Sequence, residues 1–183
     1  MIWNETMKSI CARYSCRAFQ DRPVDRKALE TILEAGRWAA SGRNAQGWHF
    51  TVIQSGEGFR LARQALGEQP PEGYPGTMKW PDDTLQPDAP VLILISGDPN
   101  VPYPACGYHM AAGNMMVAAS SLGLGTVWST AFTKDCFRDE ASRAVRDRLI
   151  PPGYEMYAAL YVGWPARAPG EPKPRREGVV TWL

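Results

Sequence analysis

The segment VLILIS at residues 91–96 constrains the fold most, because it is apolar up to its final serine. A strand with one face in water alternates apolar and polar residues, whereas a strand buried on both faces is a continuous apolar run. The segment therefore predicts a central strand covered by helices on both sides. With 183 residues, of which 44% are hydrophobic, the chain is large enough for such a core.

Helical and strand patterns alternate on either side of this segment. Helical spacing is predicted at 4–12 with Asn4 as the cap, from Asp25 to the Ser41-Gly42 stop, in EGFRLARQALG, and at 105–125 and 139–150. Strands are predicted in WHFTVIQS, TVWST and EMYAALYVGW. This order predicts an α+β fold in three layers, helix, sheet and helix. Residues 68–90, with six prolines, predict a long irregular excursion.

Composition excludes several classes of function. The net charge is +1 and no basic stripe is present, so no nucleic-acid partner is expected. The start of the chain lacks the apolar run of a signal peptide, and no segment is long enough to span a bilayer, so we expect a cytoplasmic protein without a membrane partner. Four cysteines without a C-x-x-C pair, together with two histidines, predict free thiols and no metal site.

The segment RYSCR carries Arg13, Ser15 and Arg17 at alternate positions. In an extended chain these three side chains point the same way. They are either ordinary solvated surface or donors to one oxyanion, since a guanidinium fork matches phosphate oxygens. Lys173, Arg175 and Arg176 in the proline-rich tail are likewise solvated, or they fold back to the same anion.

Two loops carry further candidate binding residues. Asn44 and Gln46 lie between a helix and a strand, where an amide serves a turn or reads the edge of a heterocycle with alternating donors and acceptors. The glycines of GLGT at 123–126 close a helix instead of opening one. This order favours a C-cap with Gly123 left-handed over a dinucleotide-binding turn.

Four segments in the right order resemble the nitroreductase family: RYSCR, LEAGRWAASGRNAQGWHF, AAGNMMVAASSLGLGTVW, and YVGWPA with its basic tail. The resemblance implies a mostly antiparallel sheet flanked by helices in residues 1–164, and an extended C-terminal arm in 165–183. It implies that FMN is the cofactor, with its phosphate held by Arg13, Ser15, Arg17, Lys173 and Arg175. Asn44 would face the pyrimidine edge of the flavin with Gln46 beside it. The main chain of Trp128, Ser129, Thr130 and Ala131 would approach flavin N5 and O4.

The resemblance also implies an activity and an assembly. FMN would take electrons from NADH or NADPH and pass them to a nitroaromatic, a quinone or a similar acceptor by a ping-pong mechanism. No catalytic acid, base or nucleophile from the protein is required. The protein would be a homodimer with its arm packed on the partner.

Alternatives remain open at this stage. One is another flavin reaction, such as enone or haloaromatic reduction or flavin fragmentation, and the others are a flavin-binding sensor without turnover and a small interaction module. Gly47 and Ala40 stand where family members often have proline.

Overall fold

A computed structural model of the chain describes residues 2–54, 56–67, 89–134 and 136–183. The predicted excursion at 68–90 falls almost wholly outside these residues. The helices are α1 (Glu5–Ala12), α2 (Arg26–Arg37), α3 (Gly56–Leu66), α4 (Pro104–Ser121), α5 (Ala131–Lys134), α6 (Glu140–Arg143) and α7 (Arg146–Leu149). The strands are β1 (Trp48–Ile53), β2 (Val91–Gly97), β3 (Gly125–Trp128) and β4 (Glu155–Gly163).

Within the described residues the strands form one antiparallel sheet in the order β1-β2-β4-β3. Every residue of β2 is buried, which confirms the central strand predicted from its apolar run. Ile93 and Ile95 pack in the same core as α2 and α4, whereas Leu92 and Leu94 pack on the other face with α3 and α7. The sheet therefore lies between two helical layers, and the predicted three-layer α+β fold is confirmed.

Two predicted helix boundaries need correction. α2 starts after Asp25, whose carboxylate accepts from the Lys27 N–H at 2.6 Å, but the helix ends at Arg37, before the expected Ser41-Gly42 stop. The chain leaves it through a tight turn in which the N–H of Ala39 donates to Gly36, and this turn buries Ala39. The helix predicted at 139–150 is in fact two short helices, α6 and α7. The first begins at a capping box in which the Ser142 N–H donates to the Asp139 carboxylate at 2.7 Å, and Leu149 of the second packs in the core.

The C-terminus of α4 has the predicted glycine cap. Gly123 has φ +75°. Its N–H donates to Ser120 at 3.1 Å, and the N–H of Leu124 donates to Ala119 at 2.9 Å. This pair of bonds is the Schellman motif, which satisfies the last carbonyls of a helix through a left-handed residue. The prediction that GLGT closes a helix is confirmed.

The ring of Tyr108 lies directly against the β2 backbone at Gly97, where a Cβ would overlap it. Because Tyr108 is fully buried and its hydroxyl donates to the Asp98 carbonyl at 2.8 Å, the ring has no room to move. We expect Gly97→Ala to lower the free energy of unfolding by about 1–3 kcal/mol, as overpacking does. Chemical denaturation measures it, with Gly56→Ala, whose Cβ would meet open space, as the control. Equal stability of the two variants would contradict the packing described.

The arm, residues 165–183, lies outside the helices and strands. Val179, Val180, Trp182 and Leu183 are exposed, with 92% of Trp182 accessible. Prolines at 165, 169, 172 and 174 favour an extended course, because each fixes φ and removes a backbone donor. None of the described helices is long and apolar enough to cross a membrane.

Candidate functional site

The segment 13–17 follows α1 as an extended chain along the edge of the sheet. Ser15 forms a parallel bridge with Thr126 of β3, and the N–H of Cys16 donates to the Thr126 carbonyl at 2.9 Å. Cys16 is 2% exposed, whereas Ser15 and Arg17 are exposed and Arg13 is half-buried. The structure therefore places Arg13, Ser15 and Arg17 on the outer side of this segment, as the alternation predicts.

Gly125 makes this close approach possible. A Cβ at that position would lie 2.6 Å from the Cβ of Cys16. Because glycine has no Cβ, Cys16 packs directly on the start of β3 and the neighbouring Ser15 and Arg17 face outward. The thiol of Cys16 also donates to the Ala18 carbonyl at 3.2 Å.

The first part of the arm is fastened to the same segment. The N–H of Ala166 donates to Ala18 at 2.9 Å, and the Tyr14 hydroxyl donates to the Arg167 carbonyl at 3.1 Å. Burial and the neighbouring Cys16 side chain raise the pKa of Tyr14 to about 12, so its phenol stays protonated and remains a donor at neutral pH. The two ends of the chain thus run side by side.

A cavity of about 470 Å³, the cationic cavity, opens between these two ends of the chain. Its lining contains four cationic side chains and one carboxylate, which are Arg13, Arg17, Lys173, Arg175 and Glu171. Ser15 lines it as well. The structure therefore brings the five predicted phosphate ligands together, although the two groups are about 160 positions apart in the sequence.

The cations of this cavity are not neutralised by ion pairs within the described residues, although the Arg17 Nη1 donates to the Ser15 carbonyl at 3.4 Å. Among the described residues, none of the four has a carboxylate at ion-pair distance, whereas the helix arginines do, for example Arg26 with Glu30 at 2.8 Å. Clustered like charges repel one another unless an anion neutralises them. The donor set of guanidinium, ammonium and hydroxyl groups fits a phosphate dianion.

The loop of residues 41–47 carries backbone strain. Arg43, Asn44 and Gln46 have φ of 52°, 55° and 49°. Non-glycine residues in this region cost about 1–3 kcal/mol each and are held only by their surroundings. The loop is fixed by Ser41, whose carbonyl accepts from Asn44 at 2.9 Å and whose hydroxyl accepts from Gln46 at 3.1 Å.

The strained loop exposes the side chains of Asn44 and Gln46 to solvent. Neither residue lines the cationic cavity of its own chain. Gly47 ends the loop, and a Cβ there would lie 2.6 Å from the Tyr108 hydroxyl. The glycine at this position therefore makes room for a buried tyrosine, which a proline would displace.

Residues 128–131 comprise the last residue of β3 and the three that follow it, and they also lie outside the lining of the cationic cavity. Ser129 and Ala131 are buried, and Trp128 is half-buried. The N–H of Ser129 donates to the carbonyl of Ala159 in β4 at 2.9 Å, so this N–H is already hydrogen-bonded within the sheet. Thr130 is exposed at the surface.

Sequence reasoning missed three residues of this region. Tyr14 alternates with the predicted ligands Arg13 and Ser15 and shares the inward face with Cys16. Only this inward position could have indicated that Tyr14 holds the arm. Glu171 is an ordinary surface residue by sequence. His109 places its Nε2 3.0 Å from the Tyr157 carbonyl and its ring 5.4 Å from the indole of Trp128. Because a carbonyl oxygen only accepts, Nε2 carries the proton in this contact.

A family model and a solved structure that are similar to this chain both describe nitroreductases. The family model described as "Nitroreductase family" matches residues 10–164. A crystal structure of a nitroreductase with bound FMN from Bacteroides fragilis is 27% identical with a TM-score of 0.83, and the alignment covers 99% of this chain and 100% of that one.

Two curated relatives carry more specific names. The FMN reductase [NAD(P)H] of Bacillus subtilis is 30% identical over 146 residues, which are 68% of this chain and 53% of the relative. The iodotyrosine deiodinase of Thermotoga neapolitana is 26% identical over 174 residues, 89% of this chain and 88% of the relative. The likeness to each of them therefore extends over most of this chain.

Proposed function

The chain belongs to the nitroreductase family, and we propose that it is an FMN-dependent oxidoreductase that reduces a nitroaromatic, a quinone or a similar acceptor with electrons from NADH or NADPH. The resemblance identified from four sequence segments is thereby confirmed. The four free cysteines are compatible with a reducing compartment, so the proposal places the reaction in the cytoplasm.

The observation that carries the proposal is the cationic cavity. It joins Arg13, Ser15 and Arg17 to Lys173 and Arg175, and no carboxylate of the described residues forms an ion pair with any of these cations. FMN ends in a phosphate dianion, which fits this donor set. Arg13 and Arg17 would bind the phosphate oxygens through their guanidinium groups, and Ser15 would add a hydroxyl donor. The arm would hold Lys173 and Arg175 on the opposite side of the same phosphate.

The chemistry of the reaction would come from the bound cofactor, since FMN would supply the capacity for hydride transfer between the nicotinamide and the second substrate. The protein supplies binding and orientation. For a nitro compound, one NADH and one proton remove an oxygen as water and leave a nitroso group. For a quinone, the same two reactants give the hydroquinone. We propose a ping-pong mechanism, in which the nicotinamide would leave the site before the acceptor binds.

We also propose that the protein is a homodimer. Asn44 and Gln46 lie outside the cationic cavity of their own chain, so a dimer in which this loop faces the neighbouring cofactor reconciles their position with a role at the flavin. Exposed apolar residues support an interface: Trp38 is 80% exposed, and Met110 on α4 and the end of the arm are exposed as well. Apolar groups of this kind mark surfaces that another chain covers.

The visible spectrum of the purified protein tests the proposal. We expect a yellow protein that NADH or NADPH bleaches without oxygen and that a nitroaromatic or a quinone recolours. A colourless protein that does not bind added FMN would overturn the proposal. A yellow protein that neither nucleotide reduces would favour a flavin-binding sensor.

Haloaromatic reduction is the second candidate, and it is favoured by the likeness to the deiodinase of Thermotoga neapolitana. In that reaction a hydride replaces the halogen, which leaves as halide. Measuring halide release from an iodinated phenol separates the two candidates. Stoichiometric iodide with no turnover of nitroaromatics or quinones would favour the second.

Asn44 is a test of the flavin side of the site. We expect Asn44→Ala to shift the reduction potential of the bound flavin, because an amide that contacts the pyrimidine edge stabilises one redox state more than the other. Asn44→Gly is the matched variant, since glycine keeps the positive φ without the amide. Both variants should shift the potential, and a wild-type potential in Asn44→Gly would assign Asn44 to the turn alone.

A further inference from the structure

The strained loop of residues 41–47 packs directly against residues 98–103, the segment that precedes α4. A Cβ at Gly42 would overlap the carbonyl oxygen of Pro102, so the two backbones touch at this point. At the other end of the loop, the Gly47 carbonyl accepts from the first N–H of the segment at 3.0 Å. The two loops therefore form one surface, the double-loop surface.

Backbone strain is concentrated on this surface. Of the five non-glycine residues with positive φ in the described chain, four lie on it: Arg43, Asn44, Gln46 and Tyr103. Tyr103 has φ 53° and ψ 54° directly before Pro104, although a residue before proline favours extended backbone. Strain of this kind persists only where the surroundings impose it, and it clusters at sites that hold a ligand.

The side chains of Arg43 and Tyr103 point to solvent. Tyr103 is 76% exposed, and Arg43 is exposed as well, so burial of these side chains does not offset the strain. The two residues directly follow the touching Gly42 and Pro102, and one residue step is about 3.8 Å. The geometry therefore sets a phenol ring and a guanidinium group at neighbouring points where the two loops meet.

The guanidinium of Arg43 is not neutralised within the described residues. No carboxylate of that part of the chain lies at ion-pair distance from it, whereas Arg26 pairs with Glu30 at 2.8 Å. Asp98 is the one acidic residue in the sequence of the two loops, and its carboxylate accepts from the N–H and the side-chain amide of Asn100 at 2.8 and 2.9 Å. The surface therefore offers a cation to an external anion.

We propose that the electron acceptor is an aromatic compound with an acidic group, and that Tyr103 contacts its ring while Arg43 pairs with the anion. A phenol ring gives an aromatic ligand an offset or edge contact, and a guanidinium fork matches a carboxylate. This inference rests on the proposed function, in which the loop with Asn44 faces the flavin of the neighbouring subunit, because the acceptor must bind beside that flavin.

A matched pair of nitroaromatics tests the inference on the oxidised, FMN-loaded protein, where binding is measured without turnover. The anion para-nitrobenzoate and the neutral para-nitrobenzamide have the same ring and nitro group. Isothermal titration calorimetry gives both dissociation constants. We expect the wild type to bind the benzoate about tenfold more tightly, because a charge-assisted pair with Arg43 is made by that ligand alone. In turnover with NADH the difference should appear in KM and not in kcat.

Variants at the two positions separate the two contacts. Arg43→Gln should weaken only the benzoate and remove the preference, whereas Arg43→Lys should keep part of it. Tyr103→Asn accepts the positive φ without a ring and should weaken both compounds by about two- to tenfold. Tyr103→Phe should bind both as the wild type does. Arg26→Gln, which removes a paired surface arginine, is the control and should change neither affinity.

Three results would overturn the inference alone: a yellow, NADH-reducible wild type that binds both compounds equally or binds neither, an Arg43→Gln variant that keeps the preference, or a Tyr103→Asn variant with unchanged affinities. If Arg43→Gln raises the KM for NADH and leaves benzoate binding unchanged, the guanidinium contacts the nucleotide and the inference is also wrong. A protein that binds no FMN would overturn the proposed function and this inference with it.

Discussion

Replacing both Arg13 and Arg17 with alanine should give a folded protein that retains almost no FMN. Each arginine lines the cationic cavity, and within the part of the chain that the structure describes neither has a carboxylate at ion-pair distance, so each guanidinium is available to the phosphate. A hydrogen bond to a charged group contributes roughly 1.5–3 kcal/mol, so each single variant should lose about tenfold or more in affinity. If the two losses add, the double variant should lose on the order of 100-fold or more.

The ratio of flavin absorbance to protein absorbance after purification measures this loss. Arg26→Ala is the matched control, because it removes a surface arginine that is paired with Glu30 and does not line the cationic cavity. The control should keep its flavin. A double variant that still purifies with full flavin occupancy would show that the phosphate lies elsewhere.

Deleting residues 165–183 should have the second large effect, because the deletion removes both a wall of the cavity and the apolar end of the chain. Lys173 and Arg175 leave with the arm, so FMN retention should fall sharply. The exposed apolar residues Val179, Val180, Trp182 and Leu183 leave too, so the proposed dimer should weaken. About 15 extended residues span on the order of 45–50 Å, far enough to reach a neighbouring subunit.

A shorter truncation separates the two roles of the arm. Removing only residues 178–183 keeps Lys173 and Arg175, so this variant should retain more FMN than the full deletion while its dimer still dissociates more readily. Light scattering gives the oligomeric state and absorbance gives the flavin content. If the protein that lacks residues 165–183 remains a yellow dimer, the arm holds neither the subunits nor the cofactor.

Much of the fold could be predicted because it depends on local patterns. The apolar run of β2 predicted a strand buried on both faces, and Asn4 and Asp25 marked two helix starts through capping that involves neighbours only. The end of α2 could not be predicted, because it depends on where Ala39 is buried. The break between α6 and α7 could not be predicted either, because Leu149 of α7 packs in a core that is made by distant residues.

In the candidate site, too, the local features could be predicted and the long-range contacts could not. The alternation of Arg13, Ser15 and Arg17 is local and predicted one face, but local reasoning left open whether that face is a ligand site or solvated surface. The approach of Lys173 and Arg175 required the family resemblance, because nothing near them in the sequence specifies it. The positive φ of Arg43 and Gln46 gave no sequence signal, since only the packing around the loop forces such residues into that region.

The most direct test of the central claim compares FMN with riboflavin, which differs only by the phosphate. We expect the flavin-free wild type to bind FMN about 100-fold or more tightly than riboflavin, because several charge-assisted hydrogen bonds depend on that group. In the variant with both Arg13 and Arg17 replaced by alanine, the ratio of the two affinities should fall strongly, with riboflavin binding little changed. Equal affinities in the wild type, or an unchanged ratio in the double variant, would contradict a phosphate site in the cationic cavity.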